Sequence, residues 1–96
     1  MVNIDYKKLF NELPIDVQNR LSSADISEKI YDFGKSMNLT DNKIYLLAET
    51  IGDVVMGVVK DDVILASLGS IGIDSLSTER AVGFTKEIVA EIKGLN

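Results

Sequence analysis

The stretch Asp53-Val54-Val55-Met56-Gly57-Val58-Val59-Lys60-Asp61-Asp62-Val63-Ile64-Leu65-Ala66-Ser67-Leu68 decides the fold. Two readings compete for it. As a β-hairpin, strands 54–59 and 63–68 would flank a Lys60-Asp61-Asp62 turn, and the β-branched content favours strands. Against this, both runs are continuous rather than alternating. Such strands need cover on both faces, and 96 residues leave little material for two covers. A helical stripe also enters from upstream, with Ile44, Leu47, Ile51, Val54 or Val55, and Val58 recurring at helical period. The expected fold is therefore all-α, a compact single domain of five or six short helices spanning 1–96. An α+β fold with a hairpin at 53–68 is the alternative.

Helix-end signals extend the same reading outward. Asn3 can cap a helix from Ile4 to about Glu12, and Pro14 suits the first helical position of a short segment ending at Leu21. Ser22 and Ser23 interrupt the chain. Asp25 can then cap a third helix, with Glu28 completing a capping box. Ile26, Ile30, Phe33 and Met37 form its apolar stripe. Thr40 is the next cap, and Asp41 places negative charge in the first turn, where the helix dipole favours it. After Val63–Leu68, Gly69-Ser70-Ile71-Gly72 reads as a turn. The last helix runs from Ser75 or Ser77 to Lys93, with Gly94 as its stop. Its apolar face is Leu76, Ala81, Phe84 or Thr85, Ile88, Val89 and Ile92.

Leu13-Pro14-x-x-Val17-Gln18, Glu28-Lys29-Ile30, Gly34-Lys35, Leu39, Ile44 and Leu47-Ala48-Glu49-Thr50-x-Gly52, with Val55 and Gly57, resemble an uncharacterised small helical domain of candidate phyla radiation bacteria. The similarity covers roughly residues 13–93. It implies an all-helical fold in which Lys60-Asp61-Asp62 fills an Asp-rich turn and Asp74 to Lys93 a closing helix. It implies no activity, cofactor or partner.

Composition narrows the chemistry. There is no Cys, His or Trp, so a disulfide framework, thiolate zinc sites, a Cys nucleophile and any triad using His are excluded. Fifteen acidic against ten basic residues give a net charge of −5, which makes nucleic acid an unfavoured partner. Glu49, Asp53, Lys60, Asp61 and Asp62 break the most apolar region, Ile44 to Ile73, so no membrane span is expected. Asp5 in a start without an apolar run argues against a secretory signal, and the expected location is cytoplasmic.

Four motifs invite functional readings. Gly34-Lys35-Ser36 ends like a phosphate-binding loop, but the required upstream glycine is Lys29 and the preceding pattern is helical. A small residue that lets two helices approach is the simpler account. Ile30 to Ile44 has the spacing of a helix-turn-helix, with Asn38 in the turn; the second helix would present Thr40, Asp41, Asn42, Lys43, Leu46 and Glu49. Lys43 is the one cation in that set, so plain helix packing is favoured over DNA reading. Glu49 with Asp53, and Asp61 with Asp62, are carboxylate pairs without EF-hand spacing, better read as solvated acids near helix ends. Gly52 and Gly57 fall within the helical pattern, where each signals close packing or a kink.

Between positions 54 and 68 stand Val54, Val55, Met56, Val58, Val59, Val63, Ile64, Leu65 and Leu68, more apolar side chains than one helix face buries. Either this segment is the central element of the domain, or part of it meets a partner. The functional expectation is a small acidic protein-interaction module, not an enzyme, that binds another protein or itself. Val54, Val58, Val59, Val63 and Ile64 are its candidate interaction residues. No cofactor, metal or catalytic residue is expected. The alternatives are a helix-turn-helix DNA-binding regulator using 30–49, and an acidic inhibitor or immunity-type protein.

Overall fold

Four of the described helices start at a side chain that accepts from the backbone there, and two end at a left-handed glycine. The computed structural model describes residues 4–95, and the side chains of Ser75 and Leu76 lie outside that description, as does Asn3. Helix α1 (Tyr6–Glu12) starts where Asp5 Oδ1 accepts from Lys8 N at 3.0 Å, two residues later than expected. Pro14 precedes α2 (Ile15–Leu21) as its N-cap. Helix α3 (Ala24–Ser36) is capped by Ser23, whose Oγ accepts from Ile26 N at 3.2 Å. Asp25 thus sits within the first turn rather than at the cap, because Ser23 already supplies the acceptor. Thr40 caps α4 (Asp41–Val55), with its Oγ1 accepting from Lys43 N at 3.3 Å. A 3₁₀ turn (Asp61–Val63) leads into α5 (Ile64–Ser70), and Asp74 caps α6 (Ser75–Lys93), its Oδ1 2.9 Å from Ser77 N.

The deciding segment is neither a hairpin nor one long helix, and the described residues contain no strand. Helix α4 stops at Val55 because Gly57 adopts φ +80°, a left-handed conformation that glycine enters without a Cβ clash. The Gly57 N–H donates to Val54 O at 3.1 Å and the Val58 N–H to Asp53 O at 2.8 Å, closing the helix end in a Schellman motif. Gly57 is therefore a terminator outside the helix, and Val58 lies in the following turn rather than on the helical stripe. The α3 and α6 ends repeat this pattern. Asn38, at φ 59°, and Gly94, at φ 73°, take the left-handed position. Leu39 N then donates to Gly34 O at 3.0 Å, and Leu95 N to Ala90 O at 2.9 Å.

Helix α4 is the centre of the molecule. Ile44, Leu47, Ile51, Val54 and Val55 are buried along it, and it packs against α3, α5 and α6. Helix α6 closes the bundle against α2, α4 and α5, burying Ala81, Ile88, Val89 and Ile92. Ile64 and Leu68, one turn apart on α5, are fully buried beside them. Of the nine apolar side chains crowded between 54 and 68, Val54, Val55, Ile64 and Leu68 are thus buried on the central helix and its neighbour, Met56, Val58 and Val59 are half-buried, and Val63 and Leu65 are exposed. The half-buried rings of Phe33 on α3 and Phe84 on α6 pack against this core and stack with centroids 4.0 Å apart.

Gly34 is needed for its size. An added Cβ would come 2.8 Å from Ile44 Cδ1 and closer still to Cγ1, so only hydrogen fits where α3 meets α4. The helical context leaves no phosphate-binding loop at Gly34-Lys35-Ser36. A Cβ added at Gly52, by contrast, would meet no neighbouring helix; its nearest atom is Met56 Cε at 4.0 Å. Among the described residues no helix is long and apolar enough to cross a membrane.

Candidate interaction surface

The last turn of α4, the 3₁₀ turn, the start of α5 and the end of α6 converge on a cleft of about 250 Å³. Val54, Ile64, Val89 and Ala90 supply its apolar lining, and Asp61, Lys86, Lys93 and Leu95 complete it. Helix spacing places Lys86 and Lys93 two turns apart on one side of α6. Among the described residues, neither lysine has a carboxylate within ion-pairing distance. The pairs that do form, Lys29–Glu91 at 2.6 Å and Lys35–Asp41 at 2.7 Å, lie elsewhere. Asp61 and Asp62 occupy the first turn that follows Lys60, and both are exposed.

The five candidate residues divide by depth. Val54 and Ile64 are 4% and 0% exposed and form the cleft floor, where they support its shape rather than offer free surface. Val58 and Val59 are half-buried in the turn after α4. Val63, at 43%, is open to solvent. The structure adds side chains that the sequence did not single out. Leu65 is 57% exposed just beyond Ile64, and Leu95 is 72% exposed on the cleft wall. Leu65 belonged to the crowded 54–68 run, whereas Leu95 and the two lysines become relevant only once α6 lies against the 3₁₀ turn.

The remaining candidate features are occupied by structural work. On the helix-turn-helix face, Lys43 Nζ donates to the Gly72 carbonyl at 2.9 Å, and Asp41 pairs with Lys35. Tyr45 is 67% exposed on the same helix but stands among acids and uncharged residues. Asp53 lies one turn after Glu49. Burial pushes its carboxyl above the usual range, and the neighbouring Glu49 charge adds to the shift. No group of three or more acidic side chains converges among the described residues in a way that could hold a metal ion. A second cleft, between α3 and α6, is spanned by the Lys29–Glu91 pair and lined by Phe84, Glu87 and Ile88. Comparison with protein families, curated proteins and solved structures finds no match to this chain.

Proposed function

We propose that the chain is a small acidic protein-interaction module that engages another protein through the cleft between the Asp61–Leu65 segment and the end of α6, with no catalysis of its own. One observation carries this reading: an apolar cleft with the exposed Leu95 on its wall, beside the segment that carries the exposed Val63 and Leu65, is lined by two lysines that have no intramolecular ion partner among the described residues. Apolar side chains left in water beside a concave apolar floor gain free energy when a partner covers them, by about 25 cal/mol per Å². Unpaired cations at the rim then set which partner fits.

A photo-activatable residue at position 65, compared with one at position 16 on the exposed face of α2, tests the reading in the producing cells. A discrete adduct from position 65 and none from position 16 supports it. Absence of any adduct at 65 overturns it.

The DNA-binding alternative is weaker on charge. Its face offers Lys43, already held by Gly72, against Asp41 and Glu49, and phosphate binding needs free cations. A gel shift at low salt that fades as salt rises would restore it. The inhibitor alternative draws on the net charge alone, and a part of that charge serves helix starts, as Asp5 and Asp74 do.

A further inference from the structure

Resting on the interaction reading, the charge pattern around the cleft points to a more definite occupant: we propose that the partner is a second copy of this chain, related by a two-fold axis. Each protomer would set Asp61, Asp62, Val63 and Leu65 against the Lys86–Lys93 edge and apolar floor of the other.

A two-fold interface uses one surface twice, so the surface must contain both halves of every contact. This one does. Asp61 lines the cleft and is followed along the chain by Asp62 and the exposed Val63 and Leu65; the same cleft is lined by Leu95 and by Lys86 and Lys93, which have no ion partner among the described residues. Elsewhere the protein is poorly suited to meeting itself. With fifteen acids to ten bases, most facing surfaces would bring like charges together. The other exposed apolar side chains are dispersed: Ile4 and Tyr6 near α1, Ile15 on α2, Tyr31 on α3 and Tyr45 on α4. Asp61 lines its own protomer's cleft yet lies beyond ion-pairing distance of both lysines, so the acids and bases remain available to a neighbour. The exposed apolar set is small, which makes this a weak, reversible and salt-sensitive dimer rather than an obligate one.

Sedimentation equilibrium on four samples tests the proposal. Wild type should show a concentration-dependent dimer whose association constant falls about tenfold when salt rises from about 0.05 to about 0.5 M. Lys86→Glu/Lys93→Glu and Asp61→Lys/Asp62→Lys should each be monomeric alone, since like charges then face each other at both halves. An equimolar mixture of the two should dimerise again, because every contact regains opposite charges. All four sites are exposed, and far-UV circular dichroism confirms that each variant keeps its helices.

A wild type monomeric at every concentration overturns self-pairing, as does a mixture that stays monomeric or a dimer indifferent to both reversals. If wild type is monomeric while position 65 still gives a discrete adduct with a different protein, self-pairing alone falls. If no adduct forms either, the interaction reading falls with it.

Discussion

Arg20 Nε donates to the Ile92 carbonyl at 2.6 Å, tying α2 to the last turn of α6 across 72 positions of sequence. The final carbonyls of a helix lack intrahelical partners, and a guanidinium satisfies one while its charge complements the negative end of the dipole. Ala90 and Glu91 carbonyls are met by Leu95 and Gly94 N–H groups, and Arg20 meets the next one, at Ile92. Arg20→Ala should cost about 1–2 kcal/mol in urea unfolding, and Arg20→Lys less. An Arg20→Ala variant as stable as wild type would deny the bond any role in closing the bundle.

Gly34→Ala sets two effects against each other. Alanine improves helix propensity by about 1 kcal/mol, but its methyl group would overlap Ile44 at the α3–α4 crossing. The overlap should win, giving net destabilisation of about 1–3 kcal/mol. Ile44→Ala in the same chain should remove part of that penalty, which a double-mutant cycle would read as coupling. Gly83 on α6 is the control. It is exposed and a Cβ there meets nothing within 4 Å, so Gly83→Ala should stabilise by about 0.5–1 kcal/mol.

Two buried threonines should respond oppositely to the same change. Thr85 is 0% exposed and its Oγ1 has no hydrogen-bond partner among the described residues. Thr85→Val replaces an unsatisfied hydroxyl with a methyl group and should raise stability by about 1 kcal/mol. Thr78 Oγ1 donates to Asp74 O at 2.6 Å, so Thr78→Val loses a made bond and should lower stability by a similar amount, about 1 kcal/mol. Thermal melts of the two variants shifting in the same direction would contradict this.

Asp53 gives the stability a pH signature. Burial, with Glu49 beside it, raises its carboxyl pKa, so the folded chain holds that proton to higher pH than the unfolded chain does. Ionising Asp53 therefore costs the fold stability as pH rises through that range. Asp53→Asn should stabilise at neutral pH, with the gain shrinking as pH falls through the raised carboxyl pKa and gone once it is below the ordinary carboxylate range. A gain that stays constant from pH 7 to pH 3 would place its origin elsewhere.

Most of the fold was legible because helix grammar is local. Thr40, Asp74 and Gly94 act where the sequence places them, and the Ile26–Ile30 and Ile44–Leu47–Ile51 stripes face inward. Where the expectation slipped, two local solutions were both available. Ser23 and Asp25 can each cap a helix, and Ser23 is the residue that the structure uses. Gly57 reads equally as a flaw inside a helix or the residue just past its end, and its φ settles the matter. The candidate surface was legible only in part. Burial of Val54 and Ile64, and the convergence of Lys86, Lys93 and Leu95 with Asp61, depend on how α6 lies across α5, which no local pattern encodes.

Helix α1 contributes no fully buried side chain, only the half-buried Leu9 and Phe10, and Gln18 Nε2 reaches back to its end, donating to Asn11 O at 3.3 Å and to Leu13 O, just past the helix, at 2.8 Å. Its amides should therefore lose hydrogen-exchange protection long before global unfolding, as a separate cooperative unit, while those of α4 exchange only with the whole molecule. A protease cutting within Tyr6–Glu12 should accordingly leave behind a body that still melts as one transition.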